Sequence, residues 1–281
     1  MTNTLFDPKF LYRFADFKAK KLPYSIALEA LEARATTAVP SDELSIFSDV
    51  VRLEICAYEA RGLMYGCLTI HDSKLGKRSL WKARKPVPIP SFVEDDSLSF
   101  SDCNARAVLL VDDERVFHLL AKQSIVKDLS IVLLTSSGIP RLGTRRLVRR
   151  LELEFDLPII MLSDNDTWGY WSYSILKRGL MAPSMHSDHS AIKGLSFAGV
   201  RSSDWKTFKV PPERLRPWEK QWSLRLTHLR NQPCFKSKRW QQELDAFERN
   251  RVGLALRAFV EHLGVATFVS AYLKPRIDKY S

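Results

Sequence analysis

The chain has 281 residues, 45% of them hydrophobic, and a formal net charge of +11. That length suits one large domain or two small ones, and the apolar content is enough for a core. No apolar run approaches the ~20 residues of a membrane helix, MTNTLFDPKF lacks the pattern of a secretory signal, and Cys56, Cys67, Cys103 and Cys234 form no C-x-x-C pair; these features argue against a membrane protein, a secreted one or a zinc knuckle, and fit a reducing intracellular compartment.

The positive charge is uneven. Residues 201–281 carry 17 Lys and Arg against 8 Asp and Glu, and RLGTRRLVRR (141–150) holds five arginines. Clustered basic charge is the footprint of a polyanion, because each neutralised phosphate releases condensed counterions. A solvated basic face is the plainer alternative.

In chain order, residues 1–66 read as mainly helical, with SIALEALEARA ending at Pro40 and a new helix start at Ser41. RGLMYGCLTI (61–70) reads as a turn entering a strand. Residues 71–97 are rich in Lys, Pro and Ser, and the alternating prolines of PVPIPSFVEDD forbid a helix interior. The expected domains are therefore an N-terminal helical unit over 1–70, an extended connector over 71–104, and an α/β domain over 105–281.

From residue 105 the pattern becomes strand, helix, strand, helix, strand, helix. ARAVLLV, DLSIVLLTSS and LPIIMLSD read as buried strands, and DDERVFHLLAKQ, TRRLVRRLELEF and WGYWSYSILKRG read as helices. In the second helix Leu147, Leu151 and Phe155 share one face, with the arginines largely on another. This alternation predicts a mainly parallel sheet covered by helices, which binds ligands at the carboxyl ends of its strands. Asp112–Asp113, Thr135–Gly138 and Asp164–Asp166 all fall at such ends.

Asp164 and Asp166 are two residues apart, so on an extended segment their carboxylates point the same way and reach one hard cation. Asp112 is placed to add a third oxygen. An all-oxygen set favours Mg²⁺ or Mn²⁺ over zinc. The plainer reading makes DND a polar turn in which Asp166 caps the next helix.

AVLLVDDERVF, TSSGIPRLGTRRLVRRL and LPIIMLSDNDTWGYWSYSILKRG resemble the three signature blocks of the Toprim domain in the topoisomerase VI A-subunit family. ARGLMYG, PIPSFVEDDSLSF, LSFAGVRSSDW, WQQEL and FVSAYLKPRI are similar to further family segments, and the resemblance covers roughly residues 42–278 in order. It implies a fold of α/β class: an N-terminal helical winged-helix remnant that binds DNA, followed by a Toprim domain. It also implies Mg²⁺-dependent transesterification, in which a tyrosine becomes joined to a DNA 5′ end. Two protomers, each cutting one strand, would break double-stranded DNA. The branch expected here is the nuclear one that makes meiotic double-strand breaks to initiate recombination. It would work as a homodimer, without a membrane, and with a topoisomerase VI B-like subunit as partner. The alternatives are a catalytically inactive DNA-binding member and an archaeal-type topoisomerase VI A subunit.

Carried onto this sequence, Asp164 and Asp166 match the family's paired metal aspartates. Asp112 stands where the family has a metal-binding glutamate, one methylene longer. Arg145 matches the arginine of the T-R block and implies a DNA-phosphate contact. The nucleophile falls at Tyr24 in KKLPYS, where Lys21 and Pro23 depart from the family's R-D-I-Y-Y pattern; Tyr12 is the second candidate. Ser137 replaces a usual lysine and Arg141 a usual aspartate. The short N-terminal segment is compatible with a truncated or divergent copy. His186 and His189 read as solvated loop residues, Trp168, Trp171 and Tyr173 as packing or base-stacking groups, and Trp205, Trp218, Trp222 and Trp240 as core or partner contacts.

Overall fold

A computed structural model of the chain describes residues 62–72, 76–80, 85–90, 98–122, 124–138, 140, 142–178 and 191–280. The chain divides into two compact units, Met1–Ile55 and Cys56–Ser281, and every described residue belongs to the second. Tyr12, Tyr24, Arg141, His186 and His189, and nearly all of the expected winged-helix remnant, lie outside the described residues.

The first five strands are short: β1 (Leu63–Gly66), β2 (Thr69–Asp72), β3 (Gly76–Ser79), β4 (Val87–Pro88) and β5 (Leu98–Ser101). Then come β6 (Ala107–Val111), α1 (Glu114–Ala121), α2 (Ile125–Asp128), β7 (Ile131–Thr135), α3 (Leu142–Phe155), β8 (Ile159–Leu162), α4 (Thr167–Arg178), β9 (Ser196–Gly199) and α5 (Asp204–Thr207). The C-terminal part adds β10 (Arg216–Pro217), α6 (Lys220–Asn231), α7 (Lys238–Asn250), β11 (Val252–Gly253), α8 (Leu256–Leu263), a π-helical stretch Phe268–Leu273, and α9 (Lys274–Tyr280).

The central sheet has the order β4-β1-β7-β6-β8-β9. Its strands β7, β6, β8 and β9 are parallel, as the βαβ pattern predicts. β1 is antiparallel and pairs with β7 over Leu63↔Thr135 to Gly66↔Val132, while β4 pairs with β1. β2, β3 and β5 form a separate antiparallel sheet. β1 and β2 begin within RGLMYGCLTI, where a strand is expected, while β3, β4 and β5 arise within the segment expected as an extended connector. The prolines of PVPIP are compatible with this because β4, which contains Pro88, lies at the sheet edge, where a ladder donor is dispensable.

Alternation along the central strands explains why they read as unbroken apolar runs. Val108, Leu110, Val132, Leu134, Ile159 and Met161 face one core, with Leu147, Val148 and Leu151 of α3 and Tyr170, Tyr173 and Leu176 of α4. Leu109, Val111, Ile131, Leu133, Ile160 and Leu162 face a second core, with Val116, Phe117 and Leu120 of α1 and the C-terminal helices. A parallel sheet covered on both faces needs apolar residues at every position. Trp222 is fully buried and Trp218 and Trp240 pack against the first core, so these tryptophans are core residues.

The C-terminal segment is locked to the sheet by a buried polar cluster. Tyr272 donates to Asp204 Oδ2 at 2.6 Å, and Arg276 reaches Asp204 Oδ1 at 3.1 Å and the Ala198 carbonyl at 2.8 Å. Burial raises the Asp204 carboxyl above 3.8, against the lowering pull of the Tyr272 hydroxyl, the Arg201 amide and Arg276. A carboxyl whose folded value is raised stabilises the fold fully below its unfolded value, and that contribution is lost as pH rises through the folded value. Tyr272→Phe removes one of the lowering contacts and leaves an ionised oxygen short of a donor. It is expected to cost about 1–3 kcal/mol, less near pH 4 than near pH 7 because only the ionised carboxylate misses the donor. Urea unfolding of both proteins across that range checks it; a loss independent of pH would contradict the account.

Candidate functional site

Three carboxylates gather where β6 and β8 end side by side. The parallel register pairs Val111 with Leu162, and the Asp112 amide continues it by donating to the Leu162 carbonyl at 2.9 Å. Asp112 is thus fixed beside the loop that carries Asp164 and Asp166. Its neighbour Asp113 turns away and caps α1, accepting from the Arg115 and Val116 amides at 2.8 and 2.9 Å.

Asn165 forms an isolated antiparallel bridge with Leu254, and Asp164 and Asp166 flank it. Asp164 Oδ1 accepts from the Leu256 amide at 2.8 Å. Asp166 Oδ1 accepts from the Trp168 and Gly169 amides at 2.9 and 2.8 Å, so Asp166 does cap α4. Capping engages one oxygen and leaves the other. A Cβ at Gly169 would stand 2.3 Å from the Asp164 carbonyl, so the helix can close on this loop only with glycine there.

A two-stranded ribbon completes the site. β10 and β11 pair Arg216 with Gly253, and Leu254 beyond β11 exchanges both backbone hydrogen bonds with Asn165, at 2.8 and 3.1 Å. This ladder carries Arg216 over the aspartates. Its Nη1 lies 3.2 Å from Asp164 Oδ2 and 2.8 Å from Asp166 Oδ2. Arg216 is the residue that sequence reading missed: it lies fifty positions from Asp166, and no local motif marks it.

Asn165 faces the interior and enters a buried network. Its amide donates to Tyr170 Oη at 2.5 Å and Ser202 Oγ at 3.1 Å. Tyr170 and the Ser202 amide both donate to Glu243 Oε1, at 2.9 and 2.7 Å, and Arg201 stands 3.8 Å from the other Glu243 oxygen. Glu243 is the acid of the WQQEL block, whose family resemblance was its only sequence signal. The network holds the middle of the DND turn from behind.

Other expected residues stand differently. Arg145 is 3% exposed, so in this state its guanidinium belongs to the packed side of α3 rather than to the surface offered to solvent. It precedes Val148 by three positions and therefore shares its side of the helix. Ser137 is exposed at the end of β7. Trp168 is 48% exposed beside the aspartates, with the Arg225 guanidinium 4.3 Å above its ring, while Tyr173 is core.

Burial, followed by the charges of Asp164, Asp166 and Asp113, pushes the Asp112 carboxyl up to about 8. Burial and Asp166 push Asp164 up to about 6, against the lowering pull of the Leu256 amide and Arg216. Crowded carboxylates are an all-oxygen donor set suited to a hard divalent cation. As they stand, among the described residues, no three His, Cys, Asp or Glu side chains are close enough to cage an ion. The chemistry of the set fits Mg²⁺, and Arg216 supplies the positive charge between two of its members.

Tyr170→Phe tests the network behind the turn. It removes the donor to Glu243 and one acceptor of Asn165, both buried, and is expected to lower stability by about 1–3 kcal/mol. An unchanged urea midpoint would show that the network does not support the turn.

Sequence comparison adds an independent view. The family model for the Toprim domain of the topoisomerase 6 A subunit and Spo11 matches residues 107–277, more than half of the chain. The chain is 29% identical to the A subunit of type 2 DNA topoisomerase 6 from Hyperthermus butylicus, over 88% of this chain and 65% of that protein. It is 31% identical to the protein of the same name from Sulfurisphaera tokodaii, over 65% and 49% of the two chains. It is 26% identical to the human meiotic recombination protein SPO11, over 71% and 50%. The chain thus spans about half to two thirds of the length of these relatives. The aspartates, Arg216 and Glu243 all fall inside the matched region, and the chain belongs to the family of the topoisomerase 6 A subunit and Spo11.

Proposed function

We propose that the chain is a Mg²⁺-dependent DNA-cleaving transesterase of the type IIB topoisomerase kind, which makes the double-strand breaks that initiate meiotic recombination in the nucleus. The observation that carries the reading is the gathering of Asp112, Asp164 and Asp166 at neighbouring strand ends inside the family-matched region. In this reading residues 1–70 supply a winged-helix-like DNA-binding domain, 71–104 lead out of it, and 105–281 form the Toprim domain.

Asp112, Asp164 and Asp166 would hold the ion, Asp112 through its shorter side chain. When bound, Mg²⁺ neutralises and positions the scissile phosphate. Tyr24 is the proposed nucleophile. Phenols are weak acids, and that of Tyr24 loses its proton as its oxygen attacks phosphorus. A tyrosine–5′-phosphate bond forms, the phosphorus–oxygen bond to the neighbouring sugar breaks, and the 3′ hydroxyl leaves with a proton. A homodimer would cut both strands, and a topoisomerase VI B-like subunit is the proposed partner. The excess of Lys and Arg over Asp and Glu in residues 201–281 supports binding to the DNA backbone. Arg145 joins that contact only if it becomes accessible when DNA binds.

Incubating the chain and its B-like partner with DNA and Mg²⁺ is expected to give a covalent protein–DNA adduct. Tyr24→Phe should abolish it and Asp164→Asn should reduce it by at least about a hundredfold. An adduct that persists in Tyr24→Phe would move the nucleophile elsewhere. Salt-sensitive DNA binding with no adduct under any metal would support an inactive DNA-binding member.

Identity of 29% and 31% to the Hyperthermus butylicus and Sulfurisphaera tokodaii A subunits, against 26% to human SPO11, favours a second reading, that of an archaeal-type topoisomerase VI A subunit. ATP-dependent relaxation of supercoiled DNA by the reconstituted complex would select it.

A further inference from the structure

We infer that Arg216 is a built-in counter-cation: it occupies the seat between Asp164 and Asp166 and must leave that seat for a divalent ion to enter. The inference rests on the metal reading of the aspartates and adds a competitor for the same oxygens. Each aspartate has its Oδ1 committed to backbone amides, of Leu256 for Asp164 and of Trp168 and Gly169 for Asp166. The two remaining oxygens, both Oδ2, converge on one guanidinium nitrogen, Arg216 Nη1, at 3.2 and 2.8 Å. A cation bridging the pair would use the oxygens that Arg216 holds.

The placement of Arg216 is built. Arg216 pairs with Gly253 in the β10–β11 ladder, and the residue after Gly253 is laddered to Asn165, between the two aspartates. A Cβ at Gly253 would lie 2.7 Å from the Trp222 ring and 2.9 Å from the Asn165 carbonyl, so glycine lets ribbon and turn close together. Departure is also easy. The Arg216 side chain is 46% exposed, whereas that of Asp166 is 5% exposed, so the arginine can swing into solvent while the carboxylates stay in place. A divalent ion therefore competes for these oxygens against a single-charged group that keeps its own access to water. The arginine offsets part of the negative charge of the pair when no ion is bound and sets a threshold on ion entry.

The test is Mn²⁺ binding to the full chain, followed by loss of the free-ion electron paramagnetic resonance signal. Arg216→Gln should bind Mn²⁺ roughly two- to tenfold more tightly than the unaltered chain. Arg216→Lys, which keeps the charge on a point cation, should fall between them. Arg214→Gln removes the same charge from a nearby residue that pairs with Glu261, and should leave the affinity within twofold. In urea with chelator, Arg216→Gln should unfold more readily than the unaltered chain, and saturating Mn²⁺ should close that gap. Equal or weaker Mn²⁺ binding by Arg216→Gln would overturn the competition and leave the metal reading standing. An equal gain in Arg214→Gln would also overturn it, by reducing it to bulk charge. If no protein binds Mn²⁺, and Asp164→Asn behaves as the unaltered chain does, the metal reading itself falls and the competition with it. If Arg216→Gln fails to fold, the Arg216→Lys affinity decides alone.

Discussion

Carboxylates held together at the carboxyl ends of two central strands are the constraint on which the rest of the site depends. Parallel pairing of β6 with β8 brings Asp112 beside the Asp164–Asp166 turn, and burial denies the cluster full hydration. Water stabilises isolated carboxylates well, so the arrangement needs compensation from fixed donors or cations. The protein supplies amides from Leu256, Trp168 and Gly169 and one guanidinium from Arg216. Much of the C-terminal part can be understood as the means of delivering them.

The ribbon formed by β10 and β11 has this purpose. Without the exchange of hydrogen bonds between Asn165 and Leu254, neither the Leu256 amide nor Arg216 would stand at the aspartates. The network of Tyr170, Ser202, Glu243 and Arg201 supports the same turn from its buried side, where Asn165 points away from the carboxylates. The turn is therefore held between two supports with different chemistry. One is buried, and its Glu243 carboxylate is faced by Arg201. The other is charged and half exposed, so it can yield to a ligand while the first stays fixed.

Much of this was legible in the sequence, for physical reasons. AVLLV, IVLLT and IIML announce strands because a sheet covered on both faces tolerates only apolar residues, and Asp112, Asp164 and Asp166 stand out because charge follows such runs directly. Asp166 proved to be both helix cap and candidate ligand, two roles that a carboxylate with two oxygens can combine. RGLMYGCLTI marks a strand, but the antiparallel pairing of β1 with β7, more than sixty residues away, has no local signature. The burial of Arg145, for which the resemblance implies a DNA-phosphate contact, has no local sequence signal: only the packing of Val148 and Leu151 against the sheet shows which side of the helix is covered. Arg216 was invisible because its position is set by a ladder between distant segments.

The central claim is that Asp112, Asp164 and Asp166 form one cation site whose resting counter-charge is Arg216. The most direct measurement is an anomalous difference map from crystals of the full chain soaked in Mn²⁺. The account predicts a peak among these three carboxylates, with the Arg216 side chain turned away from Asp164 Oδ2 and Asp166 Oδ2. A map without a peak there, or a peak with Arg216 still bridging both aspartates, would contradict it.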